Sequence, residues 1–200
     1  MHDETPSVEL GKLGESAGTE PAWVGDVLHF WFRELSESQW WEQDEAIDAL
    51  VRERFLALHA RLSAHHASER FTTSRQLLAA VIVLDQFSRH LFRRTARAYA
   101  SDPLARRIAR CAVDAKLDSS LTALERQFLY LPFQHSEDAA DQRLSVQLFE
   151  SIGNEGWTRD AIEHREIVER FGRFPHRNAV LGRESTVEED ELLKAPASWF

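Results

Sequence analysis

The chain has 200 residues, of which 43% are hydrophobic, and it carries a formal net charge of −9 at pH 7. Its length and composition allow one well-filled core and exclude an intrinsically disordered protein, while its charge argues against nucleic acid as a partner. The single cysteine excludes an intramolecular disulfide, so we expect a reducing, cytoplasmic setting. Residues 1–20 are acidic and predict a flexible tail rather than a signal peptide.

From residue 21 onward, apolar residues recur at helical spacing, and no strand-like alternation competes with them. The segment "PAWVGDVLHFWF" predicts the first helix, and Asp44 is a suitable N-cap for the second. Thr73 or Ser74 can cap "RQLLAAVIVLDQFSRHLF", whose apolar first half predicts the central buried helix. The longest apolar run, residues 77–84, is far below the roughly 20 residues of a membrane span, so no membrane contact is expected.

The helical pattern continues through the second half of the chain. Ser101-Asp102-Pro103 predicts a helix start, and "TALE" at 122–125 has the spacing of a capping box. The helix that begins there is expected to stop at Pro132. Ser136 is then a candidate cap for a helix that ends near Gly153.

Two more helices follow, one beginning at Thr158 and one after a second capping box, "STVE" at 185–188. Glycines and prolines lie at the helix boundaries, so no internal linker is expected. The sequence therefore predicts an all-α protein with seven or eight helices in a single domain, residues 21–200.

One helix carries an acid and an arginine row. Asp85 ends an apolar run, so its carboxylate should be partly buried and should need a partner. Arg89, Arg93 and Arg97 follow at intervals of four residues and share a helix face with it. Either Asp85 and Arg89 form an ordinary intrahelical ion pair, or the arginines hold a carboxylate or phosphate.

Two later segments are also rich in polar side chains. In "LPFQHSED", His135 is a candidate general base with Glu137 to orient it, although a simple helix cap explains the same residues. The segment "FGRFPHRNAVLGR", residues 171–183, contains two glycines and a proline and cannot be one regular helix. Its hydrogen-bonding side chains are Arg173, His176, Arg177, Asn178 and Arg183. They either converge on a ligand or tie the loop to its own core.

Metal and nucleotide motifs are absent from the sequence. There is no H-E-x-x-H, no paired-cysteine site and no glycine-rich phosphate loop, so we expect neither a metal nor a cofactor. Cys111 lies within a predicted helix and is expected to be an inert buried thiol.

Several stretches resemble a known family. "FWF", "WW", "LDQFSRHLFRRTARAYASD", "LPFQHSE" and "FGRFPHRNAVLGRESTVEE" are similar to the bacterial domain-of-unknown-function family 924, over about residues 23–193. The resemblance implies an all-helical, tetratricopeptide-like architecture and supplies no reaction. The family pattern "LDQFPRNxFRG" keeps Asp85, Gln86, Arg89 and Arg93 here, but the chain has Ser88, His90 and Arg94 at its Pro, Asn and Gly positions. Losing that proline and glycine predicts a more continuous helix.

Three hypotheses follow. The first is a module that binds a small anion or an acidic peptide end, with Asp85, Gln86, Arg89 and Arg93 below it. Its other wall would be formed by His135, Arg173, His176, Arg177, Asn178 and Arg183. The second is an enzyme with His135 or His176 as general base, Glu137 as the orienting acid and the arginines around an anion. The third is a buried polar network that only fixes the packing of the helices. Oligomeric state cannot be read from the sequence.

Overall fold

The computed structural model of the chain describes residues 20–64 and 71–194. These ranges contain helices and no β-strand, which confirms the all-α prediction. The predicted tail, residues 1–20, lies outside the described residues except for Glu20.

The described residues form eleven α-helical segments, of which eight have eight or more residues. They are α1 (Ala22–His29), α2 (Glu37–Trp41), α3 (Glu45–Ser63), α4 (Ser74–Val81), α5 (Ser88–Leu91), α6 (Asp102–Asp114), α7 (Ala123–Gln134), α8 (Ala139–Ile152), α9 (Glu155–Phe171), α10 (Asn178–Leu181) and α11 (Val187–Lys194). Shorter 3₁₀ turns lie at Ala96–Tyr99, Leu117–Ser120 and Pro175–Arg177, and π-helical turns at Phe30–Glu34 and Ile82–Phe87.

The centre of the fold is one helical rod in which a π-helical turn joins α4 to α5. Every residue from Leu77 to Leu84 is fully buried, as the apolar run predicts. Helices α1, α3, α6 and α7 pack around this rod, and α7, α8 and α9 follow one another as neighbouring helices. The π turn contains Asp85 and Gln86 and so interrupts the regular helix where the polar residues begin.

The prediction of a more continuous helix after this rod was wrong. Helix α5 ends at Leu91, and Arg94 adopts a left-handed backbone with φ of 59°. This conformation favours glycine, the residue of the family pattern at this position, so the chain keeps the turn and accepts a backbone strain of about 1–2 kcal/mol. Ser88 fits within the helix because its hydroxyl donates to the Leu84 carbonyl at 2.6 Å.

Four predicted helix boundaries were also wrong. Helix α7 continues past Pro132 to Gln134, because proline there removes only one backbone donor near the end of the helix. Helix α8 is capped by Asp138, not Ser136, and Asp138 accepts from the backbone of Ala140 and Asp141. The other two corrected caps are Asn154 for α9 and Thr186 for α11, in place of Thr158 and Ser185.

The buried apolar side chains form one large cluster that reaches from α1 to α9. Trp31 is fully buried within it, and its carbonyl accepts a 2.8 Å hydrogen bond from Trp40. A second, small cluster of Ile167, Val168 and Phe174 lies under the loop after α9. Among the described helices, none is both long and apolar enough to cross a membrane.

Candidate functional site

Asp85 and His135 form a buried pair between the central rod and the end of α7. Asp85 is fully buried, and its Oδ1 lies 2.8 Å from His135 Nδ1. Its Oδ2 accepts from Gln86 Nε2 at 2.5 Å, so both carboxylate oxygens are engaged. Burial raises the pKa of Asp85, but the charge of Arg89 and the hydrogen bonds from His135 and Gln86 outweigh it and hold the pKa below its usual range. Asp85 is therefore an ionised, immobile acceptor.

Arg89 connects Asp85 to the start of α6. Its Nη1 lies 3.5 Å from Asp85 Oδ1, and the guanidinium donates to both oxygens of Asp102, at 3.1 and 3.2 Å. Burial alone would lower the pKa of Arg89, but the two carboxylates raise it. The i,i+4 pair that the sequence predicts is present, and it is extended by a bidentate pair with Asp102.

Arg177 approaches the other side of Asp102. Its side chain is only 8% exposed, and its nearest carboxylate oxygen is Asp102 Oδ2 at 3.9 Å, beyond hydrogen-bond distance. Within the described part of the chain its guanidinium makes no hydrogen bond, and its Nε is buried without an acceptor. The guanidinium lies over the rings of Tyr99 and Phe174, at 4.7 and 4.5 Å from their centroids.

We call these five residues the Asp85–Arg177 cluster: Asp85, Arg89, Asp102, His135 and Arg177. Burial is the main cause that lowers the pKa of Arg177, and the neighbouring Arg89 lowers it further. Two guanidiniums thus lie close together against two carboxylates. The cluster is shallow, because the side chains of His135, Asp102 and Arg89 are 15%, 15% and 23% exposed.

Two more histidines border the cluster. Burial, followed by the charge of Arg177, lowers the pKa of His176 to about 3. Burial likewise lowers the pKa of His164 to about 4, and its Nδ1 lies 2.8 Å from the Asp160 carbonyl. Burial also lowers the pKa of His135, and the charge of Asp85 opposes this effect. All three histidines are therefore neutral at pH 7.

Arg93 does not join this cluster. It binds Asp48 of α3 through Nε and Nη2, at 2.7 and 2.6 Å, and the same carboxylate lies 2.7 Å from His90 Nδ1. Burial raises the pKa of Asp48, but Arg93 and His90 lower it overall. The row at four-residue spacing thus separates, with Arg89 facing α6 and Arg93 facing α3.

Three polar residues of the 171–183 segment bind acids outside the cluster. Arg173 makes a bidentate pair with Glu189 of α11 at 2.6 and 2.7 Å, and Asn178 Nδ2 lies 3.3 Å from the same carboxylate. Arg183 makes a bidentate pair with Glu137 at 2.7 and 3.0 Å. These contacts fold the loop onto α11 and onto the start of α8.

The enzyme hypothesis assumed that Glu137 orients His135. The structure instead places Glu137 against Arg183, so it does not have this role. It also accepts from the Phe174 backbone at 2.8 Å, and its pKa is lowered because Arg183 and this amide outweigh burial. Asp85 takes the orienting position instead. The residues that sequence reasoning missed are Asp102, Tyr99 and Phe174, which meet the arginines only through the docking of α6 and of the loop after α9.

Comparison with known proteins agrees with the fold. A family model described as "Bacterial protein of unknown function (DUF924)" matches residues 27–197. The chain belongs to this family. One solved structure that it resembles is the protein of unknown function ATU0120 from Agrobacterium tumefaciens, with 38% sequence identity and a TM-score of 0.77. The match covers 86% of this chain and 97% of that one. A comparison with curated proteins gave no match.

Elsewhere on this DUF924 protein, an open cleft of about 370 Å³ lies beside α6, away from the Asp85–Arg177 cluster. It is lined by Arg106, Arg107, Arg110, Cys111, Asp138 and Asp141. Arg106 and Arg110 share the carboxylate of Asp141, at 2.7 and 2.8 Å, so both already have an acid partner. In the described ranges, no group of three or more His, Cys, Asp or Glu side chains is placed to hold a metal ion.

Proposed function

We propose that this DUF924 protein binds a small anionic molecule, or the carboxylate end of an acidic peptide, at the Asp85–Arg177 cluster. The proposal rests on the hydrogen-bond donors of Arg177, which have no acceptor among the described residues. A guanidinium has five N–H donors, and burying a charge without hydrogen bonds is costly. Arg177 is buried, yet none of the described residues accepts a hydrogen bond from it. An anion at this position would satisfy donors that the protein leaves open.

The surroundings of Arg177 favour an anion that presents two acceptor oxygens. The guanidinium lies against the rings of Tyr99 and Phe174, and these two contacts favour its present orientation before a ligand arrives. Arg89 adds a second positive charge on the far side of Asp102. A carboxylate or phosphate can accept two parallel hydrogen bonds from such a fork, whereas a lysine would offer only a point charge.

The charges of the neighbouring groups are compatible with an added anion. Asp85 and Asp102 balance Arg89 and Arg177, so the cluster is close to neutral while His135 is neutral. An added anion would lie beside Arg177, the charged side chain of the cluster that makes no hydrogen bond to the described residues. Arginine donors and imidazole rings lie together at this cluster, and this combination favours a binding site over a purely structural network.

The test is a thermal-shift titration with succinate, citrate and inorganic phosphate. Each anion that binds only the folded protein raises Tm, by an amount that follows its concentration relative to Kd. We expect a saturable rise for wild-type protein and for Arg159→Met, an exposed arginine of α9 that loses the same charge. Arg177→Met should remain folded and show no rise. A rise that is equal in Arg177→Met, or absent from wild type for all three anions at millimolar concentrations, would contradict the proposal.

A further inference from the structure

The pair of Asp85 and His135 has one feature that anion binding does not require. Asp85 is ionised and can only accept, so His135 Nδ1, at 2.8 Å, must donate to it. In the neutral ring the proton is then on Nδ1 and the lone pair is on Nε2. Asp85 cannot reorient, because Gln86 holds its other oxygen and the residue is fully buried. The tautomer and ring orientation of His135 are therefore both set.

The Nε2 atom of His135 has no partner among the described residues. The side chain is 15% exposed, so His135 lies at the solvent-accessible edge of the cluster. No serine, threonine or cysteine of the described chain bonds to Nε2, and the nearest hydroxyl in sequence, Ser136, is occupied. Its Oγ donates to Asp141 and accepts from Arg106, both at 2.8 Å. A base placed in this way has no protein nucleophile to activate, so it acts on water or on the ligand itself.

Positive charge lies beside this base. Arg89 is 3.5 Å from the Asp85 oxygen that His135 contacts, and Arg177 meets Arg89 across Asp102. Besides burial, the charges of Arg177 and Arg89 both lower the pKa of His176, so this ring lies near both arginines. His135, His176 and these two arginines therefore lie within one electrostatic neighbourhood. Guanidiniums in this position can hold an anionic ligand and can stabilise an oxyanion that forms on it.

We propose that Asp85 and His135 form a general-base dyad that hydrolyses an ester bond of a carboxylate-bearing ligand, with Arg177 as the anchor of that carboxylate. The inference rests on the proposed function. His135 Nε2 takes a proton from a water molecule as the water oxygen bonds to the ester carbonyl carbon, and the π electron pair of the C=O bond moves onto the carbonyl oxygen to give the oxyanion of the tetrahedral intermediate. When the tetrahedral intermediate collapses, the ester C–O bond breaks and the proton on Nε2 passes to the departing alkoxide. The products are an acid and an alcohol, and no oxidant or reductant is consumed.

The roles differ between the two members of the dyad. His135 touches the reacting water and is the catalytic residue, whereas Asp85 is a positioning residue that fixes the tautomer. Burial keeps His135 unprotonated at neutral pH, because it lowers the pKa below the ordinary value of 6.5. The rate should therefore be constant at neutral pH and should fall on acidification as His135 takes up a proton.

The probe is the mono-4-nitrophenyl ester of adipate, with neutral 4-nitrophenyl acetate beside it and release of 4-nitrophenolate as the readout. Wild-type protein should hydrolyse the anionic ester in preference to the neutral one. His135→Gln should lose about 10²–10⁴-fold in kcat/KM, the usual loss for a removed general base. The matched control is His29→Gln, since the His29 side chain is 66% exposed, and it should keep the wild-type rate. Arg177→Met should raise KM for the anionic ester only.

Two results would overturn the inference: no 4-nitrophenolate above the buffer rate, or equal rates in wild type and His135→Gln. If adipate still raises Tm in the same preparation, the proposed binding function stands and only the catalytic inference fails. A second measurement avoids variants that fail to fold. Nitrogen-15 NMR of the histidine rings in wild-type protein should show His135 neutral at pH 7 and protonated on Nδ1, and a proton on Nε2 would refute the dyad.

Discussion

Arg89 and Arg177 lie on either side of Asp102, yet their charges are balanced differently. Arg89 makes a bidentate pair with Asp102 and approaches Asp85, so it neutralises carboxylates that are largely buried. Arg177 makes no side-chain hydrogen bond within the described part of the chain and is held by two aromatic rings. In an arginine with a purely structural role, we expect the buried N–H donors to bind acceptors within the protein. The contrast separates a structural arginine from one that is open to a ligand.

This contrast predicts effects on stability of very different size. Arg89→Met leaves Asp85 and Asp102 buried without their main partner, so we expect a loss of roughly 3–5 kcal/mol in the free energy of unfolding. Arg177→Met removes a buried cation that has no hydrogen bond and keeps an apolar side chain between the rings. Its free energy of unfolding should stay within about 1 kcal/mol of wild type. Urea unfolding of both variants measures the difference. If Arg177→Met costs as much as Arg89→Met, Arg177 belongs to the structural network.

At the scale of the elements, helix identity was predictable and helix ends were not. The buried rod follows from eight consecutive apolar residues, and the cap at Asp44 follows from local rules. Where two polar residues compete for a cap, local rules cannot choose between them. Ser136 loses this role to Asp138 because its hydroxyl is bonded to Asp141 of α8 and Arg106 of α6. A tertiary contact therefore decides the boundary.

The same limit applies to the site. The spacing of Asp85 and Arg89 on one helix predicts their contact, which is present at 3.5 Å. Nothing local indicates that Arg93 turns toward Asp48 while Arg89 turns toward Asp102, because these acids lie on different helices. The π turn adds to the difficulty, since it changes the angular spacing of side chains that a regular helix would align. The predicted arginines are thus divided among five acids, Asp48, Asp85, Asp102, Glu137 and Glu189.

At the scale of the whole molecule, partly buried neutral histidines make the fold sensitive to acid. The pKa of His176 is lowered to about 3 and that of His164 to about 4, mainly by burial. Their unfolded values are near 6.5, so the unfolded chain binds more protons than the folded one between these limits. The stability they contribute is complete above pH 6.5 and is lost as the pH falls toward their folded values.

We therefore expect the free energy of unfolding to decline as the pH falls from 6.5 to 4. The slope is up to about 1.4 kcal/mol per pH unit for each histidine that must take up a proton on unfolding. Urea titrations at several pH values test this. The variant His176→Gln serves as the comparison. Its free energy of unfolding should fall less steeply with pH, by up to about 1.4 kcal/mol per pH unit, because one proton fewer is taken up on unfolding. A wild-type free energy of unfolding that is constant from pH 7.5 to pH 5 would contradict the assignment of partly buried neutral histidines.

The central claim is that the Arg177 guanidinium receives an anion, and its own Nε–H resonance reports this most directly. In ¹H–¹⁵N spectra of wild-type protein, we expect the Arg177 Nε–H signal to move saturably as succinate is added. The internal control is Arg173, whose Nε already donates to Glu189 at 2.6 Å and whose signal should stay in place. If the Arg177 signal does not move with succinate or phosphate at millimolar concentrations, or moves only in parallel with Arg173, the claim is wrong.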